Sequence, residues 1–295
     1  MPLDAILSRL RAVRRAGAGF VACCPSHDDV EPSLSVREGE NGRILLHCHA
    51  GCPYSAIIAA LGVAPQRAEV PLRSLPPTDA SARIEAARRF WREGKPLAGT
   101  PAQAYLEGRG ISLASWPVTL RFLASCPHPS GRRLPALVAA ICRYREGRLQ
   151  LTAVHRIYLT PDGRKAAIEP RKAALGLARG GAVYLSRPTA TLAVAEGVET
   201  ALAVMVLCQG DPRFEGWSYA AAVSAGNLPA LELPPQVGTV IIAADADEPG
   251  RKAAIKAACR FIREGKDARI AYPPAGKDFA DVLLSERRRD GAINE

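Results

Sequence analysis

Two sets of residues in this chain have the types and spacing to hold metal ions. Near the N-terminus, Cys24-Pro25-Ser26-His27 forms a C-x2-H pair, and Cys48-His49-Ala50-Gly51-Cys52 forms a C-x3-C pair further along. Tetrahedral Zn2+ takes four soft ligands, so two pairs on turns joined by a short hairpin supply two corners each. A site closed by four protein ligands is structural rather than catalytic, because no coordination position stays open. Cys23, His47 and His49 stand beside these residues as competing ligands. The second set is acidic: Glu196-Gly197 and Asp245-Ala246-Asp247. Three carboxylates brought together make a hard, oxygen-rich site that suits Mg2+ or Mn2+. An E-G or D-x-D pair is common by chance, so the weight rests on the elements that carry them.

Those elements alternate. TLAVAEG (191–197) reads as a short apolar strand with Glu196 at its end, followed by the helix VETALAVMVL. WSYAAAVSAG suggests another strand, and TVIIAADAD (239–247) is a clear strand ending in the two aspartates. EPGRKAAIKAACRFIREG (248–265) has amphipathic helical spacing, with Pro249 in its first turn and Gly265 as a stop, and ARIAYPP is a further strand. Strand–helix alternation with short connections predicts an α/β, Rossmann-like unit: a mostly parallel sheet flanked by helices. Ligands of such sheets gather beyond the carboxyl ends of the strands, where Glu196, Asp245 and Asp247 all fall. Gly197 is expected to let the chain turn sharply beside the metal. The cysteine pairs flank SLSV and RILLHC, which read as a small β module. About fifty residues bury too little apolar surface to be stable alone, so a bound metal would supply much of the folding energy.

Charge and composition divide the chain further. Residues 1–80 hold eight Lys/Arg and eight Asp/Glu, residues 81–190 nineteen against six, and residues 191–295 twelve against fifteen. The middle is therefore strongly basic and mostly Arg, a composition suited to phosphate backbones and equally open to reading as a solvated Arg-rich surface. VPLRSLPPTDAS (70–81) has the Pro, Ser and Thr content of a linker, and Ser186-Arg187-Pro188-Thr189 marks a second break. The expected organisation is a zinc-binding module at 1–69, a linker at 70–81, a mixed α+β basic subdomain at 82–187 and the α/β unit at 188–295. Cys126, Cys142, Cys208 and Cys259 are scattered singly and read as buried thiols. No apolar run approaches the roughly 20 residues needed to cross a bilayer, and the first residues carry no secretory pattern, so a cytoplasmic protein with no membrane partner is expected. There is no GxxxxGK[ST] loop, which excludes a helicase motor of that kind from these residues.

The run CCPSHDDVEPSLSV…LLHCHAGCPYSAIIAALGV resembles the zinc-binding domain of bacterial, phage and plasmid primases, with its C-P-x-H-x-D-x-x-P-S-L opening and closing cysteine pair. Replicative primases close with C-x2-C; the longer C-x3-C here is similar to the mobile-element branch. Glu196-Gly197 and DADEPGRKAA resemble the TOPRIM domain shared by primases, topoisomerases and certain nucleases. GKDFADVLL (276–284) resembles that family's G-x-D-x-x-D segment. By this resemblance Glu196, Asp245 and Asp247 are the catalytic, magnesium-binding acids. Glu199, Asp278 and Asp281 are further candidates, with helix capping or a solvated face as their alternative. AYLEGRGI (104–111) and AVHRIYL…EPRKAALG…GGAVYL resemble the basic region of the primase core. They nominate Arg109, Arg156, Arg171 and Lys172, together with Lys277, for template or nucleotide phosphates.

The activity implied is DNA-templated synthesis of short RNA primers. A 3′-hydroxyl attacks an α-phosphate in line, and positioning and charge neutralisation supply most of the catalysis. The implied cofactors are one structural Zn2+ and catalytic Mg2+ or Mn2+. The implied partners are single-stranded DNA, ribonucleoside triphosphates and a separately encoded replicative helicase. Two other readings stay open: a TOPRIM nuclease using the same carboxylates, and a non-catalytic zinc/TOPRIM DNA-binding adaptor.

Overall fold

The computed structural model describes residues 3–16, 19–29, 32–38, 44–48, 50–62, 77–274 and 278–292. The chain divides into two compact units, Met1–Ser74 and Leu75–Glu295.

In the first unit, helix α1 (Leu3–Leu7) precedes strands β1 (Arg11–Ala16), β2 (Gly19–Cys23), β3 (Leu34–Glu38) and β4 (Ile44–Cys48), and helix α2 (Tyr54–Ala60) follows. The strands form one antiparallel sheet in the order β1-β2-β3-β4. Its core is small: Ile6, Leu34, Val36, Ile57 and Leu61 pack around Cys24 and Cys48. Two of the expected metal ligands thus sit in the core itself, as a unit short of apolar area requires. Strand β1 lies at the edge and is exposed along its whole length, and its sequence RAVRRA keeps that edge charged.

The second unit opens with helix α3 (Pro77–Glu93), which starts inside the segment expected to be linker. Pro at a first helical position is well placed, since its missing N–H would have no partner there. Helix α4 (Pro101–Glu107) follows, then strands β5 (Leu120–Pro127), β6 (Arg133–Arg145), β7 (Arg148–Tyr158) and β8 (Lys172–Gly176) in an antiparallel meander, with α3 packed on β7 and β8. Strand β9 (Val183–Tyr184) then leads into β10 (Thr191–Ala195), helix α5 (Val198–Leu207), β11 (Trp217–Ala221), β12 (Thr239–Ala243), helix α6 (Glu248–Arg263), β13 (Asp267–Ala271) and helix α7 (Phe279–Ala292). The second sheet runs β13-β12-β10-β11-β9, parallel except for β9 at one edge. The expected α/β architecture is present. Helix α6 shows why: Asp247 caps it, Pro249 lies in its first turn, and Ala253, Ala254, Ala257, Ala258 and Phe261 form one buried face.

The apolar core runs on beneath the composition break near residue 187. Strand β9, on its N-terminal side, completes the parallel sheet. A single core joins Leu106, Ile111, Leu137 and Ile157 to Ala195, Val198, Leu202 and Leu283. The basic region and the α/β region therefore pack as one body, and charge changes across a surface while apolar contact continues beneath it. Of the four single cysteines, Cys126 and Cys142 are buried, Cys208 is half-buried and Cys259 is exposed, which corrects the expectation for the last.

Candidate functional site

The first unit brings Cys24, His27, Cys48 and Cys52 together: their ligand atoms all lie within 4.8 Å of one another. Cys24 follows the end of β2, Cys48 ends β4, and His27 and Cys52 stand on the turns beyond. His27 Nδ1 faces the sulfurs, 3.2 Å from Cys52 Sγ, while its Nε2 faces Asp29 Oδ1 at 3.6 Å. Asp29 also accepts from the Cys24 backbone N–H at 2.5 Å and from the Ser33 hydroxyl at 2.6 Å. A carboxylate on the outer nitrogen of a ligating histidine fixes the ring and raises its basicity. The cysteines differ. Burial pushes the Cys24 thiol up to about 11. Burial also raises Cys48, but the Cys52 backbone N–H, the Ser33 hydroxyl and the Ala50 N–H outweigh it and bring that thiol down to about 7. A thiol at that value is readily available as thiolate, the form a metal takes. Four N/S donors at this spacing fit one zinc ion. Cys23 and His47 are not part of the cluster, and His49 lies outside the described residues.

The acidic residues stand where parallel topology puts them. Ala195 pairs with Ala243 across β10 and β12, so Glu196 and Asp245 leave neighbouring strands side by side at their carboxyl ends. Burial raises the Glu196 carboxyl above its ordinary value and the charges of Asp245 and Asp247 add to this, while an Ala225 backbone N–H and Lys172 oppose it. Asp245 is raised likewise by burial, then by Asp247 and Asp278, against Lys172. These are acids pressed together, the electrostatic condition that a divalent cation relieves. They do not form a ready-made cage: among the described residues, the Cys/His set is the one compact ligand group. The backbone N–H of Gly250 donates to Asp247 Oδ1 at 2.8 Å, so Asp247 caps α6. Gly250 is required here, because a Cβ would lie 2.8 Å from Asp247 Oδ1 and 2.9 Å from Asp245 Cβ. Gly197 has no such constraint. Its φ of −91° and ψ of 152° suit any residue, which corrects the expected sharp turn. Strain sits instead at Val223, with φ +65° in the turn that brings Ala225 to Glu196.

The further candidates separate. Asp278 and Asp281 cap α7 reciprocally, Asp281 N–H donating to Asp278 Oδ1 at 2.7 Å and Asp278 N–H to Asp281 Oδ2 at 3.1 Å. Asp278 still lies close enough for its charge to act on Asp245. Glu199 is buried on α5 and faces lysines: Lys172 Nζ at 3.0 Å and Lys165 Nζ at 3.7 Å from Oε1, with the Tyr105 hydroxyl donating at 3.0 Å. Burial opposes its charge, but Lys172 and its other partners hold the carboxyl down at about 2. Arg109, Arg171 and Lys172 act electrostatically on Lys165, and of these cations Lys172 also acts on Glu196 and Asp245. Arg171 is exposed, its Nε bonded to Glu169 at 3.2 Å. Arg156 is not one of these cations. It is 8% exposed, and its guanidinium donates to the carbonyls of Pro127 at 3.0 Å and Ala174 at 3.3 Å. That fork ties strands together, which corrects its nomination as a phosphate ligand. Lys277 lies outside the described residues. Sequence reading missed Lys165, Tyr105, Asp29 and Ser33. The D and S of the C-P-x-H-x-D-x-x-P-S-L run pointed to the last two. A cavity of about 470 Å3 lies elsewhere, near Leu113, Met205, Phe214 and Tyr219 at the far end of α5 from Glu196.

Residues 191–288 match the family model described as Toprim domain. This part of the chain is a TOPRIM domain. Glu196, Asp245 and Asp247 lie within the matched residues, just beyond the ends of β10 and β12. Residues 81–185, which precede the TOPRIM domain, match a model described as a domain of unknown function, DUF7146. No curated protein matches the chain. Among solved structures it is similar to the primase of Aquifex aeolicus (zinc-binding and RNA polymerase domains). That likeness has 15% identity, 98% of this chain and 82% of that one covered, and a TM-score of 0.46. It is similar also to a DNA primase domain from Pseudomonas aeruginosa, at 17% identity, 72% and 78% covered, TM-score 0.43. The primase fragment of the bacteriophage T7 primase-helicase protein is a third, at 17% identity, 64% and 67% covered, TM-score 0.39. Likenesses this distant assign no activity. The chain joins a Cys/His cluster fit for zinc to a TOPRIM domain, and among the described residues no helix is long and apolar enough to cross a membrane.

Proposed function

We propose that this chain is a DNA primase, a nucleotidyltransferase that joins ribonucleotides on single-stranded DNA, in the setting of a phage, plasmid or other mobile element. The observation that carries the reading is the meeting of opposite charges at one end of the TOPRIM sheet. Glu196, Asp245 and Asp247 are crowded there, with Lys172 acting electrostatically on Glu196 and Asp245 and with Lys165, Arg109 and Arg171 beside it. Acids alone would repel a nucleotide, and cations alone would not position a metal. Together they suit a metal-bound triphosphate.

In this reading Glu196, Asp245 and Asp247 hold Mg2+ or Mn2+, with Asp247 offering the carboxylate oxygen left free by its helix cap. The bound ion would lower the pKa of the reacting 3′-hydroxyl and neutralise the leaving pyrophosphate. Lys172, Lys165, Arg109 and Arg171 orient the phosphates. The basic surface of residues 81–190 takes the template backbone, and the zinc module takes part in template recognition. The Cys/His cluster favours joining over cutting, since the resemblance that includes it is to primases rather than to TOPRIM nucleases. A helicase partner and a cytoplasmic location belong to the same proposal. The experiment is direct: purified protein, single-stranded DNA, labelled NTPs and Mg2+ or Mn2+ should yield short labelled oligomers. Cleavage of the DNA without synthesis replaces this reading with the nuclease, and template binding with neither activity replaces it with the adaptor.

A further inference from the structure

Glu199 is 5% exposed, yet it carries a charge, and everything around it explains how. Its side chain leaves the first turn of α5 and meets three partners from the basic region: Tyr105 on α4, Lys172 at the start of β8, and Lys165 in the loop before it. Lys172 Nζ spans both oxygens, at 3.0 Å from Oε1 and 3.1 Å from Oε2. Each lysine side chain is only about a third exposed, at 34% and 32%. His155, 6% exposed beside them, is pushed down to about 4, by burial first and then by Lys172, so it stays neutral. The cluster therefore holds two ammonium groups against one carboxylate. Two ammonium groups sharing one buried carboxylate, each about two-thirds covered, repel one another unless an anion stands between them.

We propose that Glu199 is a positioning residue that locks Lys165 and Lys172 beside Glu196 and Asp245, and that it is not a metal ligand. This deepens the primase reading: the surplus positive charge of the locked pair faces the acid site and is left for the phosphates of a nucleotide. The position of Glu199, three residues after Glu196 on a helix, turns it inward toward the basic region. Both of its oxygens are engaged there, and the Tyr105 hydroxyl adds a donor that a metal site would not supply. The nearby Nε of Arg109 is buried without a partner, so the cluster has donors to spare and no carboxylate oxygen to spare.

The test uses the full chain and two readouts that need no primer synthesis, so they stand apart from failure of the primase reading. Mn2+ alone is titrated into wild type, Glu199→Gln and Glu196→Gln, and lysines are labelled with an acetylating reagent and mapped by mass spectrometry. Glu199→Gln should weaken Mn2+ binding by less than about fivefold, the scale of a nearby charge, while Glu196→Gln weakens it by about fiftyfold or more. In Glu199→Gln, Lys165 and Lys172 should acetylate at least about fivefold faster, having lost the carboxylate that held them folded inward, with other lysines unchanged. A loss of Mn2+ affinity matching that of Glu196→Gln, or unchanged labelling of both lysines, overturns the proposal. If Glu199→Gln does not fold, Glu199→Gln/Lys165→Met removes one charge of each sign and keeps the balance. Lys172 labelling and Mn2+ affinity in that variant decide by the same criteria.

Discussion

Glu196 has its carboxyl raised by burial and by Asp245 and Asp247, and Asp245 by burial and by Asp247 and Asp278, so their charged forms are disfavoured in the folded chain. The sign for stability follows. An acid raised on folding costs stability at neutral pH, and that cost disappears as pH falls through its raised value and it takes a proton. Asp245→Asn should therefore raise the melting temperature at pH 7, with the gain shrinking towards acid pH, as thermal denaturation across a pH series would show. A lower melting temperature at pH 7 would mean the carboxylate is stabilised by a partner instead. Protons compete with the metal for the same oxygens, so Mn2+ affinity should fall on acidification starting above the ordinary carboxylate range. Glu199 runs the other way. Held at about 2, it contributes stability above the ordinary carboxylate value that is lost only as pH drops towards 2. Gly250 is the residue where sterics alone decide: Gly250→Ala puts a methyl within 2.9 Å of Asp245 Cβ and closer still to Asp247 Oδ1. We expect it to cost about tenfold or more in Mn2+ affinity, because misplacing such groups by a fraction of an ångström is felt at once. Isothermal titration checks this, and unchanged affinity would show that the turn relaxes freely.

Elements were the most legible level, and their legibility has a physical cause. Strands β10 and β12 are short apolar runs closed by acids, and α6 carries its own cap, proline and apolar face, so local sequence and tertiary demand agree. The four clustered Cys/His residues could be read because their spacing is the one a tetrahedral metal asks for. What surrounds them was legible only as the D and S of the C-P-x-H-x-D-x-x-P-S-L run, with no role attached to either. Asp29 is one acid among several in sequence, and only the fold of the turn aims it at His27 and the Cys24 N–H. Arg156 was misread for a related reason: a strand arginine in a basic segment looks like a phosphate ligand until the fold buries it under two carbonyls. These placements give a graded prediction for the zinc module. Cys24→Ser and Cys48→Ser should lose the metal and become sensitive to protease within the first 74 residues, the extent of that compact unit. Asp29→Ala should keep the fold but lower zinc affinity by about 10–100-fold, measured by chelator competition. Zinc retained in full by both cysteine variants would remove the assignment.

On the scale of the whole molecule, the basic excess of residues 81–190 belongs to the same body as the TOPRIM acids, because one apolar core runs beneath both. In the proposed primase, template grip and chemistry would share one compact unit. Binding to single-stranded DNA should weaken with salt by a slope of about −0.7 per neutralised phosphate. Arg171→Ala should reduce that slope with stability unchanged. Arg156→Ala should leave the slope alone and cost about 1–2 kcal/mol of stability, since it removes the charged donor shared by the carbonyls of Pro127 and Ala174, although Pro127 keeps the Tyr158 hydroxyl. Fluorescence anisotropy at several salt concentrations, with denaturation curves alongside, tells the two arginines apart. The central claim is that the acids of β10 and β12 serve joining. The measurement that reaches it most directly follows labelled NTPs and labelled single-stranded DNA in one reaction with Mg2+ or Mn2+, for wild type, Glu196→Gln, Asp245→Asn and Asp247→Asn. Template-dependent oligomers from wild type, falling by about 100-fold or more in each variant (about 2.7 kcal/mol of barrier) with DNA binding intact, are the predicted result. Cleavage of the DNA that disappears in the same three variants, with no oligomers from wild type, would contradict it.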